Sequence, residues 1–233
     1  MNPLAPKNEP WPVMVFMRAP QLGRVKTRLA RKLAPQAVLA LYRCFVADTL
    51  AAVTAAGCRP ILCVHPPTAA KAAATEFGSR YEAVAQEGAH LGERMANAFY
   101  RAFSTGHSRA LLVGVDIPHL PARIYREAFD ALARHPAVIG PATDGGYYLI
   151  GFNRNTLVGA VFDGMPWGTD GVFERTCEVL AANGVQPYRL PPYRDLDTVE
   201  DVVAFSLEPA HAAIRTRACL NRIGFGAGRR GPV

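Results

Sequence analysis

Three apolar runs of strand length, each closing on a polar residue, constrain this 233-residue chain more than any other feature. They are residues 12–17 (PVMVFM, followed by Arg18), 60–65 (PILCVH) and 110–116 (ALLVGVD). A strand with one wet face alternates apolar and polar side chains. A strand covered on both faces reads as a continuous apolar run, which is the signature of a parallel sheet. Helical spacing follows the runs. Leu39, Tyr42, Phe45, Val46 and Leu50 share a face over residues 35–56, with Pro35 suited to the first turn. Thr68 caps an Ala-rich helix to Phe77, and Leu91, Met95 and Phe99 mark a helix over 91–103. Further helices open at Pro121, run from 170 to 183 with a stop at Gly184, and start at Thr198 with Asp201 three residues on. Short strands fall at 81–85, 138–140, 147–152 and 185–190. This order predicts an α/β chain with a mostly parallel sheet between two helical layers.

No linker or repeat interrupts the pattern, so residues 11–208 read as one domain. Residues 1–10 read as a frayed N-terminus and residues 209–233 as a flexible basic tail. With 50% hydrophobic and 19% charged residues the chain is neither disordered nor collagen-like. Leu39 to Ala56 is the most membrane-like stretch, but Arg43 and Asp48 interrupt it. The Pro-rich, polar start, MNPLAPKNEP, does not read as a signal peptide. Five cysteines (44, 58, 63, 177, 219) contain no C-x-x-C pair, which argues against a disulfide framework and for free thiols in a reducing compartment. The expectation is a soluble cytoplasmic protein. The six histidines lack H-x-x-x-H spacing, which argues against zinc hydrolysis.

The net charge of +7 is concentrated in two segments. Seven basic residues and no acid lie between Glu9 and Asp48, and five arginines and no acid lie from Pro209 onward. The tail holds Gly226-x-Gly228-x-x-Gly231, which matches a dinucleotide fingerprint as a string. No strand precedes it and no helix follows, so the match is rejected.

Ligands of parallel sheets bind beyond the carboxyl ends of the strands, and four constellations sit there. The first is Arg18-Ala19-Pro20-Gln-Leu-Gly23-Arg24-Val-Lys26-Thr27-Arg28. Its cations suit a phosphate chain, Arg by paired hydrogen bonds and Lys as a point charge, and a following helix N-terminus would add N–H donors. Val25 before Lys26-Thr27 excludes a P-loop. Charge alone leaves open a solvated surface loop. The second is Asp116, a strand-end carboxylate that suits magnesium, with a helix cap or a salt bridge as the plainer alternatives. The third is Thr143-Asp144-Gly145-Gly146-Tyr147, either a tight turn or a place where a ligand nears the backbone and Asp144 accepts from its hydroxyls. The fourth is Asp195-Leu-Asp197, whose carboxylates alternate onto one side, with capping as the plainer alternative. Cations for phosphates and acids for a divalent ion, all on one edge, point to transfer at a nucleotide phosphate or its attached sugar.

The motifs resemble a known family. P-x-x-G-x-x-K-T-R (Pro20 to Arg28), Q-x-G-x-x-L-G-E-R-M (Gln86 to Met95), G-x-D-x-P-x-L (Gly114 to Leu120), G-P-A-T-D-G-G-Y-Y-L-I-G (Gly140 to Gly151), W-x-T (Trp167 to Thr169) and D-x-D-T-x-x-D (Asp195 to Asp201) look like the DUF2064 family. That family is also called radical-SAM/selenodomain-associated transferase 1, or arsenosugar-biosynthesis glycosyltransferase. Its fold is similar to GT-A nucleotide-diphospho-sugar transferases, and the K-T-R-L segment is similar to that of 2-phospholactate guanylyltransferases. The resemblance runs from about residue 13 to 205. It implies a three-layer α/β/α sandwich with the nucleotide on Arg18, Ala19, Pro20, Gly23, Arg24, Lys26 and Arg28, joined by Gln86 and Arg94. It implies Mg²⁺ or Mn²⁺ on Asp116 and Asp197, with Lys26 and Asp116 catalytic. Asp144, Gly145, Gly146, Tyr147 and Trp167 would face the sugar or a small-molecule acceptor. One departure is plain: the GT-A metal motif D-x-D is here Asp116-Ile-Pro118, which throws more weight on Asp197.

The expected function is a metal-dependent glycosyltransferase acting on a nucleotide-sugar, with an NTP-using nucleotidyltransferase that releases pyrophosphate as the alternative. A nucleic-acid-binding role is disfavoured, because no basic face is interleaved with aromatics. A nucleotide sensor without turnover is the remaining class.

Overall fold

The computed structural model describes residues 10–209 and 212–225. Seven strands, β1 (Pro12–Arg18), β2 (Arg59–His65), β3 (Glu82–Ala85), β4 (Arg109–Gly114), β5 (Ala137–Pro141), β6 (Tyr147–Asn153) and β7 (Pro187–Arg189), form one sheet in the order β3-β2-β1-β4-β6-β5-β7. Every pairing is parallel except those of β6, which runs antiparallel to both β4 and β5. The helices are α1 (Pro35–Ala55), α2 (Ala70–Phe77), α3 (Leu91–Ser104), α4 (Ala122–Ala131), α5 (Val172–Ala182), α6 (Val199–Leu207) and α7 (Ile214–Arg222).

The continuous apolar runs are explained by two cores, one on each side of the sheet. Val13, Val15 and Met17 of β1 pack with residues of α1, α4, α6 and α7, while Met14 and Phe16 pack with residues of α3 and α5. Both faces of β1 are therefore dry, as the sequence predicts, and the molecule is the expected three-layer α/β/α sandwich.

Among the described residues α1 is the one helix long and apolar enough to cross a bilayer, despite Arg43 and Asp48. It is instead the central core helix: Leu41, Phe45 and Val53 are fully buried. Pro35 stands in its first turn as predicted. Thr68 does not cap α2. It lies in a 3₁₀ turn, Pro67–Ala69, that leads into the helix without a side-chain cap.

The flexible-tail expectation for residues 209–233 is corrected for residues 214–225. They form α7 and its exit, with Thr216, Cys219, Leu220 and Phe225 buried. The arginines disguise a short apolar stripe. The buried carboxylate of Asp48 in α1 accepts hydrogen bonds from the Arg215 and Thr216 backbone N–H groups at 3.3 and 2.8 Å and pairs with the Arg215 side chain. An acid from another helix thus satisfies donors that α7 leaves unpaired at its start. Gly226, Gly228 and Gly231, like residues 1–9, lie outside the described residues.

Candidate active site

The carboxyl ends of six strands lie on one edge of the sheet. The reversed β6 enters at that edge with its first residue, Tyr147. The segments after β1, β4, β5 and β7 meet there around a cavity of about 760 Å³. The lining includes Arg18, Arg24, Lys26 and Arg28 from the basic loop, Asp116 and Asp197 from the two acidic corners, and Asp144, Gly146, Tyr147 and Trp167. Gln86 and Arg94 complete the predicted residues that line it.

Lys26 is the centre of this arrangement. Val25 and Leu29 are buried in the core and pin the loop on either side of it. Lys26 itself has φ of 45°, a left-handed conformation that a lysine seldom adopts. The turn sends its side chain inward, where it is 5% exposed. Its ammonium lies 2.6 Å from Asp116 Oδ1, touches Asp197 Oδ1, and sits 5.6 Å from the Phe45 ring centre. Burial pushes the Lys26 pKa down, but the two carboxylates outweigh it and hold the ammonium above its ordinary range. Arg28 reaches Asp197 Oδ2 at 3.7 Å.

Backbone contacts fix the spacing of the acids. Leu196 N–H donates to the Asp116 carbonyl at 2.9 Å, tying the two corners together. Thr198 and Asp201 form a reciprocal capping box at the start of α6, and Asp201 also accepts from the Asp197 N–H. The predicted commitment of Asp201 to capping is what is found. The Asp116 side chain is 52% exposed and that of Asp197 29%, so both carboxylates are reached from the cavity. Asp195 is half-buried; burial, with Asp144 and Asp197 nearby, raises its pKa to about 6.

Also at the cavity, Asp144 accepts from the Gly146 N–H at 2.9 Å, closing a tight turn. Gly145 does not line the cavity. It has φ of 89°, and a Cβ there would fall 2.0 Å from the Asp170 carbonyl. Its carbonyl accepts from Phe173 N–H, so it docks the turn on the start of α5. Tyr147 and Trp167 pack edge to face with ring centres 6.3 Å apart.

Ala19, Pro20 and Gly23 also stand off the lining. Ala19 N–H bonds the His65 carbonyl at 2.7 Å, and Gly23, with φ of 72°, shapes a turn. The loop runs into a single 3₁₀ turn, Leu29–Arg31, rather than a long helix, so the anticipated helix N–H donors are not there. Gln86 is buried and donates its amide to the carbonyls of Met17 and Cys63 at 3.2 and 2.8 Å. It stitches strand ends together and has spent its donors on backbone. Arg94 bonds the carbonyls of Gly88 and Ala89.

Tyr42 and His65 are among the lining residues that the sequence reading did not assign to the site. Tyr42 Oη accepts from Arg18 N–H at 2.9 Å and donates to the Arg18 carbonyl at 3.0 Å, clamping the start of the loop. Its position, 24 residues downstream, gave no signal. His65 ends β2, and its Nδ1 has no hydrogen-bond partner among the described residues. Burial, with Arg94 and Arg18 nearby, lowers its pKa. The strand-end rule alone would have singled it out.

Two converging carboxylates suit a hard divalent ion bound partly by phosphate. Here the position they share is held by the Lys26 ammonium, and among the described residues no three His, Cys, Asp or Glu side chains form a metal cluster. Asp116 and Asp197 fit such an ion once Lys26 is displaced.

Comparisons with known proteins agree with this fold. Residues 49–169 match the DUF2064 family, described as uncharacterized protein conserved in bacteria. A provisionally assigned nucleotide-diphospho-sugar transferase from Desulfovibrio desulfuricans G20 is 34% identical, with 91% of this chain and 94% of that one covered and a TM-score of 0.86. Two remoter structures share the fold. Rv0371c from Mycobacterium tuberculosis H37Rv, solved with manganese, is 19% identical over 84% of this chain and 97% of that one, with a TM-score of 0.51. A CMP:2-keto-3-deoxy-manno-octonic acid synthetase in complex with CTP is 10% identical over 84% and 97%, with a TM-score of 0.52. No protein in the curated comparison matches.

Proposed function

The chain belongs to the DUF2064 family, and from that premise we propose that this transferase-fold enzyme takes a nucleotide-sugar donor and passes its glycosyl group to a small-molecule acceptor. One observation carries the reading. Lys26, Asp116 and Asp197 meet at the carboxyl edge of the sheet, under a loop that brings Arg18, Arg24 and Arg28 to the same cavity. Three arginines can bind the donor diphosphate by paired hydrogen bonds. The ammonium of Lys26 supplies a further positive charge where the leaving diphosphate gains negative charge. Tyr147 and Trp167 offer an aromatic wall to a sugar ring, and Asp144 a carboxylate to its hydroxyls. A magnesium or manganese ion, held by Asp116 and Asp197, would neutralise phosphate charge. The likeness to the 34% identical transferase supports the donor class. The five unpaired thiols support a reducing, cytoplasmic setting.

The loop also suits a triphosphate, and the CTP-bound relative in fold is a nucleotide-using synthetase. Nucleotidyl transfer with release of pyrophosphate is therefore the second reading. A thermal-shift screen of nucleoside triphosphates and nucleotide-sugars, with and without Mg²⁺ or Mn²⁺, identifies the ligand, since a ligand of the native state raises the melting temperature. Product analysis then decides: nucleoside diphosphate from the sugar donor supports glycosyl transfer, and pyrophosphate from an NTP overturns it in favour of nucleotidyl transfer. No shift with any nucleotide removes both.

A further inference from the structure

Lys26 is more than one cation among several. Its ammonium occupies the point on which Asp116 and Asp197 converge, and Arg28 stands 3.7 Å from the outer oxygen of Asp197. Among the paired groups two negative charges therefore face two positive ones, and the ammonium holds the position that a divalent cation would need. We propose that Lys26 is a resident counter-ion that keeps divalent metal off Asp116 and Asp197 until a ligand phosphate draws the ammonium away, so that nucleotide binds before the metal or together with it.

The local structure supplies a fixed base and a mobile arm. Val25 and Leu29 anchor the backbone in the core, and the Ala30 N–H donates to the Lys26 carbonyl at 3.1 Å. The arm is a four-carbon stem ending in a compact charge that has no required hydrogen-bond plane. A phosphate group arriving at Arg18, Arg24 and Arg28 adds negative charge on the cavity side. It competes for Arg28 and for Lys26 alike. Once the ammonium turns toward phosphate, both carboxylates are left facing the cavity, with phosphate oxygens as further ligands for a metal. The exclusion step stands on the observed ion triad alone. The release step rests on the nucleotide reading proposed above.

The test uses the full chain and follows Mn²⁺ by the electron paramagnetic resonance of the free ion. Without nucleotide, Lys26→Gln is expected to bind Mn²⁺ at least roughly tenfold more tightly than wild type, a difference of about 1.4 kcal/mol. Adding Asp197→Asn to that variant should abolish the gain, and Lys26→Arg, which keeps the charge, should exclude the metal as wild type does. Melting curves establish that each variant is folded. Equal Mn²⁺ binding by wild type and Lys26→Gln overturns the proposal. With uridine diphosphate or cytidine triphosphate as probe, measured against a protein-free blank, wild type should take up Mn²⁺ that it refuses alone; refusal with a bound probe overturns the release step. Should neither probe, nor any other nucleotide, shift the melting temperature, the proposed function fails and release fails with it, while the first titration still decides exclusion.

Discussion

Replacing both acids around Lys26 should cost more than the two single replacements together. At 2.6 Å and an effective dielectric of about 20, the attraction between Lys26 and Asp116 is about 6 kcal/mol before desolvation. Burying the ammonium offsets most of it. Asp116→Asn leaves Lys26 paired with Asp197, and Asp197→Asn leaves it paired with Asp116. Each single change should therefore lower stability by only about 1–2 kcal/mol, with Asp116 at the smaller end because its carboxylate is half exposed. The double variant leaves a nearly buried charge with neither of its paired carboxylates and only Asp195, beyond ion-pair distance, as a negative neighbour, which costs about 3–5 kcal/mol. The coupling should then be about 1 kcal/mol. Urea unfolding of wild type, both singles and the double at pH 7 measures it. A neutral lysine tolerates burial, so the deficit of the double variant should narrow as pH rises toward the ordinary lysine pKa. Additive losses that sum to less than about 1 kcal/mol would refute the reasoning, since they would mean that the ammonium already lies in water.

Leu220→Ala in α7 should destabilise the protein by about 2–5 kcal/mol, because Leu220 is buried in the main core; wild-type stability on urea unfolding would show that α7 is not docked. Gly145→Ala places a methyl group against the Asp170 carbonyl in a left-handed backbone conformation, so thermal melting should show a loss of about 2–4 kcal/mol. An unchanged melting temperature would rule out that close approach. Burial, with Arg217 nearby, lowers the His119 pKa to about 4, well below that of the unfolded chain. The unfolded state therefore binds a proton first. This contribution to stability is present above about pH 6.5 and falls away toward pH 4, by up to about 3 kcal/mol. His119→Phe, which keeps a ring against Phe205, should flatten the stability–pH curve over that window, and an unaltered slope counts against the assignment.

The edge of the sheet was legible because parallel strands deliver their last residues to one side, and Lys26, Asp116 and Asp197 each follow a recognisable strand. The capping box at Thr198 was legible because both partners lie within four residues. The use made of Lys26 was not legible: a positive charge near two acids reads equally as a phosphate ligand or as a counter-ion, and only the burial of Val25 and Leu29 turns it inward. Gln86 carried a binding motif, yet its amide serves backbone carbonyls on β1 and β2, which are distant in sequence. The α7 segment was misread because charge dominates its composition, and its docking depends on Asp48, 168 positions earlier.

Both clasps of the molecule join widely separated parts of the chain: Lys26 and Asp197 are 171 positions apart, and Asp48 and Thr216 are 168. Closing loops of that length is entropically slow work, so contacts of this kind form late on a folding pathway. An intermediate can hold β1, β2 and α1 in native register and still have nothing that recognises a phosphate chain. Acquisition of ligand affinity in a refolding experiment would consequently mark the final step of assembly, lagging behind the recovery of helical signal.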